Sequence, residues 1–292
     1  MRLLVIGHKG QVTSSLMLNI QKKAEIIQIG RPEFDLQTHK DFREFFLKIK
    51  PDIVVNPAAY TSVEKAESEP ETVFAINAYG AGYIASAAAH INVPCIYLST
   101  DYVFDGSQVS PIDENTTPRP LNVYGKSKLA GEEMVISHTD NYVILRTGWI
   151  YSPFNSNFLL TMLKLAETQS EINVVSDQFG TPTSALHIAD SIFKIARNLI
   201  MYPEDKTLRG IFNITARGGP ISWAQFAEQI FTFSGERGGP VSKVRHISTK
   251  DYTAAVQRPK YSCLDFHKLE KIHDVRHSLW KDELREVFTL LN

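Results

Sequence analysis

The sequence predicts a doubly wound α/β fold: a parallel sheet covered by helices on both faces, with a smaller, less regular C-terminal lobe. Three observations lead there. Short apolar runs alternate with helix-period segments through the first half, a glycine turn follows the first run directly, and the alternation weakens beyond Arg146. Leu3–Ile6 reads as a buried strand running into Gly7-His8-Lys9-Gly10 and a helix from about Val12 to Lys22. Glu25–Ile29 is a second strand, and Thr38–Lys50 carries Phe42, Phe45, Phe46 and Ile49 at helical spacing before Pro51 stops it. Asp52–Asn56 is a third strand, Glu71–His90 a long Ala-rich helix, Pro94–Ser99 a fourth strand, Tyr124–Ser137 a helix and Tyr142–Arg146 a fifth strand. Right-handed crossovers between such strands place ligands at their carboxyl ends.

Beyond Arg146, helices are expected at Phe158–Thr168, Ala185–Met201, Ser222–Phe233 and Trp280–Leu291, with short strands at Ile172–Val175 and Ile211–Ile214. Residues 1–150 are assigned to a dinucleotide-binding domain, to whose sheet the stretch 172–215 could return, and 151–292 mainly to a substrate lobe.

Charge and cysteine usage narrow the function. The 31 Lys+Arg against 32 Asp+Glu leave a net charge of −1, which is no footprint for gripping nucleic acid or an anionic membrane. Cys95 and Cys263 stand far apart without a Cys-x-x-Cys pair, which argues against a disulfide scaffold or zinc ribbon and fits a reducing, cytoplasmic setting. No stretch approaches the ~18 uninterrupted apolar residues of a membrane helix, and the opening apolar run is too short for a signal peptide. The 9 His are scattered apart from His273 and His277, surface or core roles suit them, and no metal is expected.

The turn Gly7-x-x-Gly10-Gln11-Val12-Thr13 follows a strand and opens a helix. Glycine there lets the backbone turn tightly and approach a pyrophosphate at the helix N-terminus. Thr13 stands where a third glycine would allow close helix–strand packing. The second strand ends Ile29-Gly30-Arg31, and a guanidinium in place of an acidic residue suits a 2′-phosphate, so NADPH is expected over NADH.

The strongest local signal is Ser99-Thr100-Asp101-Tyr102-Val103-Phe104-Asp105-Gly106 at the end of the fourth strand, followed by Tyr124-Gly125-Lys126-Ser127-Lys128. Tyr124 and Lys128 are four residues apart and share one helix face. A nearby ammonium favours phenolate, and the same lysine can hold nicotinamide-ribose hydroxyls. Thr100, at a strand's carboxyl end, can donate to a substrate carbonyl.

These residues resemble the extended short-chain dehydrogenase/reductase family, and within it the dTDP-4-dehydrorhamnose reductases. The resemblance runs through Gly7–Val12, Pro51–Asn56, Ala58–Glu67, Ser99–Gly106, Leu121–Glu132, Arg146–Tyr151, Asp177–Thr183 and Arg258-Pro259. It implies hydride transfer from NADPH to the C4 carbonyl of a dTDP-4-keto-6-deoxy sugar, giving dTDP-L-rhamnose. Thr100 would polarise the carbonyl, Tyr124 donate the proton, and Lys128 hold the ribose and tune the tyrosine. Val63, Asp101, Tyr102 and Trp149 match positions lining the sugar pocket, alongside Thr100 and Tyr124. Cofactor contacts carry over to Gly7, Gly10, Gln11, Val12, Arg31, Asp35, Leu36, Ala58, Ala59, Tyr60, Tyr124 and Lys128. Asp35 reads equally as a turn cap.

Some relatives pair through Mg²⁺ held partly by a carboxylate on the first helix. Here Ser15 occupies that position and no acidic residue lies between Gln11 and Lys23, so a metal-bridged dimer is not expected and the chain is read as monomer or homodimer. Two other functions share the fold: a non-catalytic NADP-binding regulatory subunit, and a reductase or epimerase of a related nucleotide sugar. Intact Thr100 and Arg146-Thr147-Gly148-Trp149 favour an enzyme over the former.

Overall fold

A computed structural model of the chain describes residues 1–252 and 256–291. Strand β1 (Arg2–Ile6) sends Leu3 and Val5 into the core on one side and Leu4 and Ile6 into the core on the other. A strand buried on both faces has no polar position to alternate with, which is why the run is apolar throughout. The chain continues through α1 (Gln11–Ile20), β2 (Glu25–Ile29), α2 (Arg43–Ile49), β3 (Ile53–Asn56) and the short α3 (Val63–Ala66). Then come α4 (Pro70–Phe74), α5 (Gly80–His90), β4 (Cys95–Thr100), α6 (Val123–His138) and β5 (Tyr142–Thr147). The second half holds β6 (Ile150–Tyr151), α7 (Phe158–Ala166), β7 (Glu171–Val175), β8 (Phe179–Gly180), β9 (Thr183–Ser184), α8 (Ala185–Met201) and β10 (Gly210–Asn213). It ends with β11 (Ile221–Ser222), α9 (Trp223–Glu236), β12 (Lys243–Ile247), α10 (His267–His273) and α11 (Trp280–Thr289).

The main sheet has six parallel strands in the order β2-β1-β3-β4-β5-β10. The order reverses between β1 and β3, and the crevice at their carboxyl ends is where such folds bind nucleotides. Residues of the second half return to this sheet: β10 adds to the edge of β5, and α8 packs on α1. Ile172–Val175 does not return. It lies in β7, which pairs with β12 in a separate two-stranded sheet. Around Tyr151, Phe226, Ile230, Trp280 and Leu284 a second core forms beneath the C-terminal lobe.

Two helices differ from the expected ones, each for a local reason. The segment from Thr38 is helical only from Arg43, because Asp41 Oδ1 accepts from the Arg43 amide and its carboxylate holds the Arg43 guanidinium, which makes Asp41 the start signal. The expected Glu71–His90 helix is divided into α4 and α5 by a π-helical turn at Ala75–Tyr79. Asn77, fully buried in that turn, accepts from the Tyr60 amide at 2.7 Å and donates to Tyr60 O and Ser127 Oγ, so the widened turn serves side-chain bonds rather than the helix ladder.

Glu283 of α11 is buried at the start of α8, where its Oε2 accepts from the Ser184 amide at 2.9 Å and its Oε1 has no partner. His187 lies 3.8 Å away, but burial pushes that imidazole down to about 3, so it is neutral and offers no counter-charge. Burial raises the Glu283 carboxyl from 4.5 to about 8. A carboxyl whose folded value is raised stabilises below its unfolded value and loses that contribution as pH rises through the folded value. Glu283→Gln is therefore expected to raise Tm by about 2–4 °C at pH 9 and to leave it unchanged near pH 4. Equal melting shifts at both pH values would count against an ionisation penalty.

Candidate active site

At the β1 end of the crevice, Gly7 has φ +112°, the left-handed region open to glycine, and a Cβ there would stand 3.8 Å from Ala58 Cβ across the switch point. Gly10 precedes α1 without a side-chain oxygen capping the helix, so the first amides face the turn unpaired by side chains. Thr13 does not hold the helix off. It is buried directly under the turn, its Oγ1 3.7 Å from the Gly7 Cβ position and 3.5 Å from that of Gly10. Gln11 uses its side chain to join α1 to the segment after β5, accepting from Ser152 Oγ at 2.8 Å and donating to Ile150 O. Val12 is buried, so what Gln11 and Val12 can present to a pyrophosphate is backbone.

The far side of the turn is set by Gly30, where a Cβ would meet Gly7 Cα at 3.1 Å. The next residue, Arg31, is exposed and makes no ion pair among the described residues. Asp35 turns its carboxylate onto the Gln37 amide at 3.0 Å and its carbonyl onto Thr38 and His39, the work of a turn cap. Leu36 belongs to the phenylalanine-rich core under α2. After β3, Ala58 N donates to Asn56 Oδ1, while Tyr60 is held by Asn77 and donates its hydroxyl to Glu69. This fixes the Ala58–Tyr60 loop opposite the glycine turn.

The reacting groups gather at the end of β4. The Thr100 hydroxyl donates to Asp101 Oδ1 at 3.0 Å and accepts from the Tyr102 amide, and it lies near enough to the Tyr124 phenol to favour its ionised form. Tyr124 meets the Tyr102 ring edge-on at 5.8 Å and stays partly open to solvent. Its helix starts where it does because Asn122 caps α6 by accepting from the Gly125 amide at 2.8 Å.

Lys128 is almost wholly buried one turn further on. Its Nζ donates to Leu98 O at 2.7 Å and lies 4.0 Å over the Tyr97 ring. The expected lowering of the Tyr124 phenol by this ammonium is not found. Burial raises Tyr124 to about 12, Asp101 adds to the rise, and only the Thr100 hydroxyl opposes it. In this site Tyr124 is held as a proton carrier.

Asp101 is pushed up to about 6 by burial, with Ser262 and Thr100 helping to retain its charge. Its Oδ2 makes no hydrogen bond of good geometry, although the Ser262 hydroxyl is near enough to favour the carboxylate. A Cβ on Gly148 would strike that oxygen at 2.3 Å, so glycine is required for β5 to pass the acid. Trp149 follows at φ +51°, stacked on Trp223 at 3.5 Å and pressed against Gly180. Val63 opens α3, whose next residue Glu64 pairs with Arg258. Arg258 is not among the site residues expected from sequence, yet it pairs with Glu64 and its buried Nε has no partner among the described residues. Its Arg-Pro dipeptide was the signal.

The structure thus brings Thr100, Asp101, Tyr102 and Tyr124 into one cluster, with Lys128 behind it and Gly7, Gly10 and Ala58 along the crevice. It leaves Asp35 and Leu36 committed to local structure. Among the described residues no cluster of three or more His, Cys, Asp or Glu could hold a metal, and no helix is long and apolar enough to cross a membrane.

Known proteins share this sequence and fold over nearly their whole length. A dTDP-4-dehydrorhamnose reductase of Sinorhizobium fredii (strain NBRC 101917 / NGR234) is 43% identical over 98% of this chain and 96% of its own. A crystal structure of a dTDP-4-dehydrorhamnose reductase from Clostridium acetobutylicum superposes with a TM-score of 0.90 at 34% identity, covering 99% of both chains. One from Bacillus anthracis in complex with NADP gives a TM-score of 0.90 at 31% identity, again over 99% of both. The sequence model of the RmlD substrate binding domain matches residues 1–292. From end to end, the chain belongs to the RmlD substrate binding domain family, among the extended short-chain dehydrogenase/reductases that its motifs resemble.

Proposed function

We propose that the protein is an NADPH-dependent dTDP-4-dehydrorhamnose reductase, reducing the C4 ketone of a dTDP-4-keto-6-deoxy sugar to dTDP-L-rhamnose. The observation that carries this reading is the cluster of the Thr100 hydroxyl, the Asp101 carboxylate and the Tyr124 phenol at the carboxyl end of β4, backed by Lys128 and flanked by Trp149. Its chemistry is that of two hydroxyls converging on one carbonyl oxygen.

The cradle suits a dinucleotide: a Cβ at Gly7 or Gly30 would narrow the turn, and the amides at the start of α1 have no side-chain cap. Bound there, reduced nicotinamide supplies the hydride. Thr100 orients the ketone and donates to its oxygen. Tyr124, its phenol raised to about 12, keeps its proton until negative charge develops on that oxygen and then gives it up. Lys128 offers its ammonium to the ribose hydroxyls beside Leu98 O. Asp101 accepts from sugar hydroxyls, and the Trp149–Trp223 stack gives a flat wall for the sugar ring. Arg31, exposed beyond the end of β2, meets the 2′-phosphate.

In this reading residues 1–150 together with α8 and β10 form the nucleotide domain, and the remainder closes over the dTDP-sugar as a monomer or homodimer. Two buried, unpaired cysteines support a cytoplasmic setting.

The deciding experiment supplies dTDP-4-keto-L-rhamnose with NADPH or NADH, follows cofactor oxidation and identifies the product sugar. Oxidation with neither cofactor would sink the enzyme reading in favour of a regulatory subunit. In the same assay Arg31→Ala should lose about 10- to 100-fold in kcat/KM for NADPH, the worth of a charged hydrogen bond to phosphate. Its efficiency with NADH should be unaltered; an equal loss with both cofactors would remove Arg31 from the 2′-phosphate site.

A further inference from the structure

Strand β4 and helix α6 are bonded at two successive strand residues. Leu98 O accepts from Lys128 Nζ at 2.7 Å, and Ser99 Oγ donates to Glu132 Oε1 at 2.5 Å. Lys128 and Glu132 stand one helical turn apart, with Tyr124 one turn before them. The function proposed above uses the Lys128 contact and leaves that of Glu132 unexplained.

Glu132 is fully buried, and Arg146 from β5 binds it twice, Nε to Oε1 at 2.9 Å and Nη2 to Oε2 at 2.6 Å. The remaining Arg146 Nη1 has no partner, and the guanidinium rests over the Phe104 ring. Packing does not call for this arrangement, since a buried ion pair is often no better for stability than apolar residues of the same volume. What an apolar pair lacks is a carboxylate one helical turn from the Lys128 ammonium.

We propose that Glu132 is a positioning residue of the reduction: its carboxylate, fixed by Arg146 and Ser99, keeps the buried Lys128 charged while it holds α6 in register on β4. Burial draws Lys128 down, to about 7 with Glu132 present, and Glu132 is the charge that opposes the fall. The other elements packed on α6 carry Cys95 and Tyr97 on β4, Asp101 and Tyr102 just after it, and Tyr142 and Arg146 on β5. Tyr83 and His90 on α5, Tyr79 in the π-helical turn, Glu64 and Lys65 on α3 and Glu71 on α4 complete the titratable groups on those elements. None of these is a cause of the Lys128 shift, and Tyr124 on the same helix is not one either.

The kinetic test rests on the reductase reading. Because the ammonium is lost as pH rises through the Lys128 value, removing the supporting charge should move the alkaline limb of kcat/KM for NADPH to lower pH. Glu132→Gln, which retains an acceptor for Ser99, should displace that limb by about one unit or more, with about 10-fold lower kcat/KM on the alkaline side and a difference that narrows toward acid. Glu132→Gln/Arg146→Met removes the guanidinium that the single variant would leave without its carboxylate, and keeps the test readable if the single variant folds poorly. It should show the same displacement. A uniform loss with an unmoved limb, in either variant, would overturn the proposal and leave Glu132 a packing residue. NADPH binding followed by fluorescence over the same pH range separates the two readings. A chain whose binding limb moves but which reduces no dTDP-4-keto sugar would reject the substrate assignment and retain the role of Glu132.

Discussion

Tyr124→Phe is expected to lower turnover by roughly 10²–10⁴-fold, the usual worth of a positioned general acid. The substitution is conservative toward the fold. The ring still meets Tyr102 edge-on at 5.8 Å, α6 keeps its Asn122 cap, and Lys128 keeps Leu98 O. What disappears is the hydroxyl beside Thr100, and with it the proton that burial holds on the phenol up to about 12. NADPH affinity should change little, because the glycine turn, Arg31 and Lys128 are untouched. Steady-state oxidation of NADPH, paired with a fluorescence titration of binding, measures both quantities. Residual turnover above about a tenth of wild type would show that another group protonates the sugar oxygen.

Gly125→Ala is expected to damage the enzyme from one residue away. A Cβ at Gly125 would lie 2.2 Å from Tyr102 O and 3.0 Å from Pro120 Cβ, and a backbone oxygen cannot rotate aside as a flexible side chain could. The N-terminal turn of α6 must then lift from the end of β4, carrying Tyr124 away from Thr100. Overpacking of this kind costs about 1–3 kcal/mol of stability. A displacement of about 1 Å at a catalytic group costs on the order of 10²-fold in rate. Denaturant unfolding and kcat/KM are the measurements, with Lys126→Ala, an exposed neighbour on the same helix, as the control. Wild-type kinetics in Gly125→Ala would mean that the close approach of helix to strand is not needed for catalysis.

Much of this site was legible in the sequence because its signals are local. The glycine turn, the hydroxyl at the end of β4 and the Tyr124/Lys128 pair are each specified by neighbours within a few residues of one another. Spacing on a helix says which side chains share a face. It does not say which atoms they find there, and the Lys128 ammonium finds Leu98 O and the Tyr97 ring. Features that depend on distant pairing were out of reach. Glu132 meets Arg146 from the next strand, Arg258 meets Glu64 across 194 positions, and the edge place of β10 depends on where α8 delivers it. Strand β12, with Lys243, Arg245 and His246 among its five residues, carries too little apolar character to announce itself. The start of α2 was misplaced for a different reason: Asp41 reads as one more polar residue until its carboxylate is seen on the Arg43 amide.

The placement of β10 on the outer edge of β5 has a consequence for how the chain comes into being. Every strand through β5 has been synthesised by residue 147, but the strand that covers β5 ends at residue 213. Until the sixty-six further residues to the end of β10 are made, a strand that is buried but for Tyr142 in the finished protein presents a bare hydrogen-bonding edge. Domains that complete themselves late are exposed to mispairing during synthesis. The nascent first half is therefore the stage at which this chain is most open to mispairing.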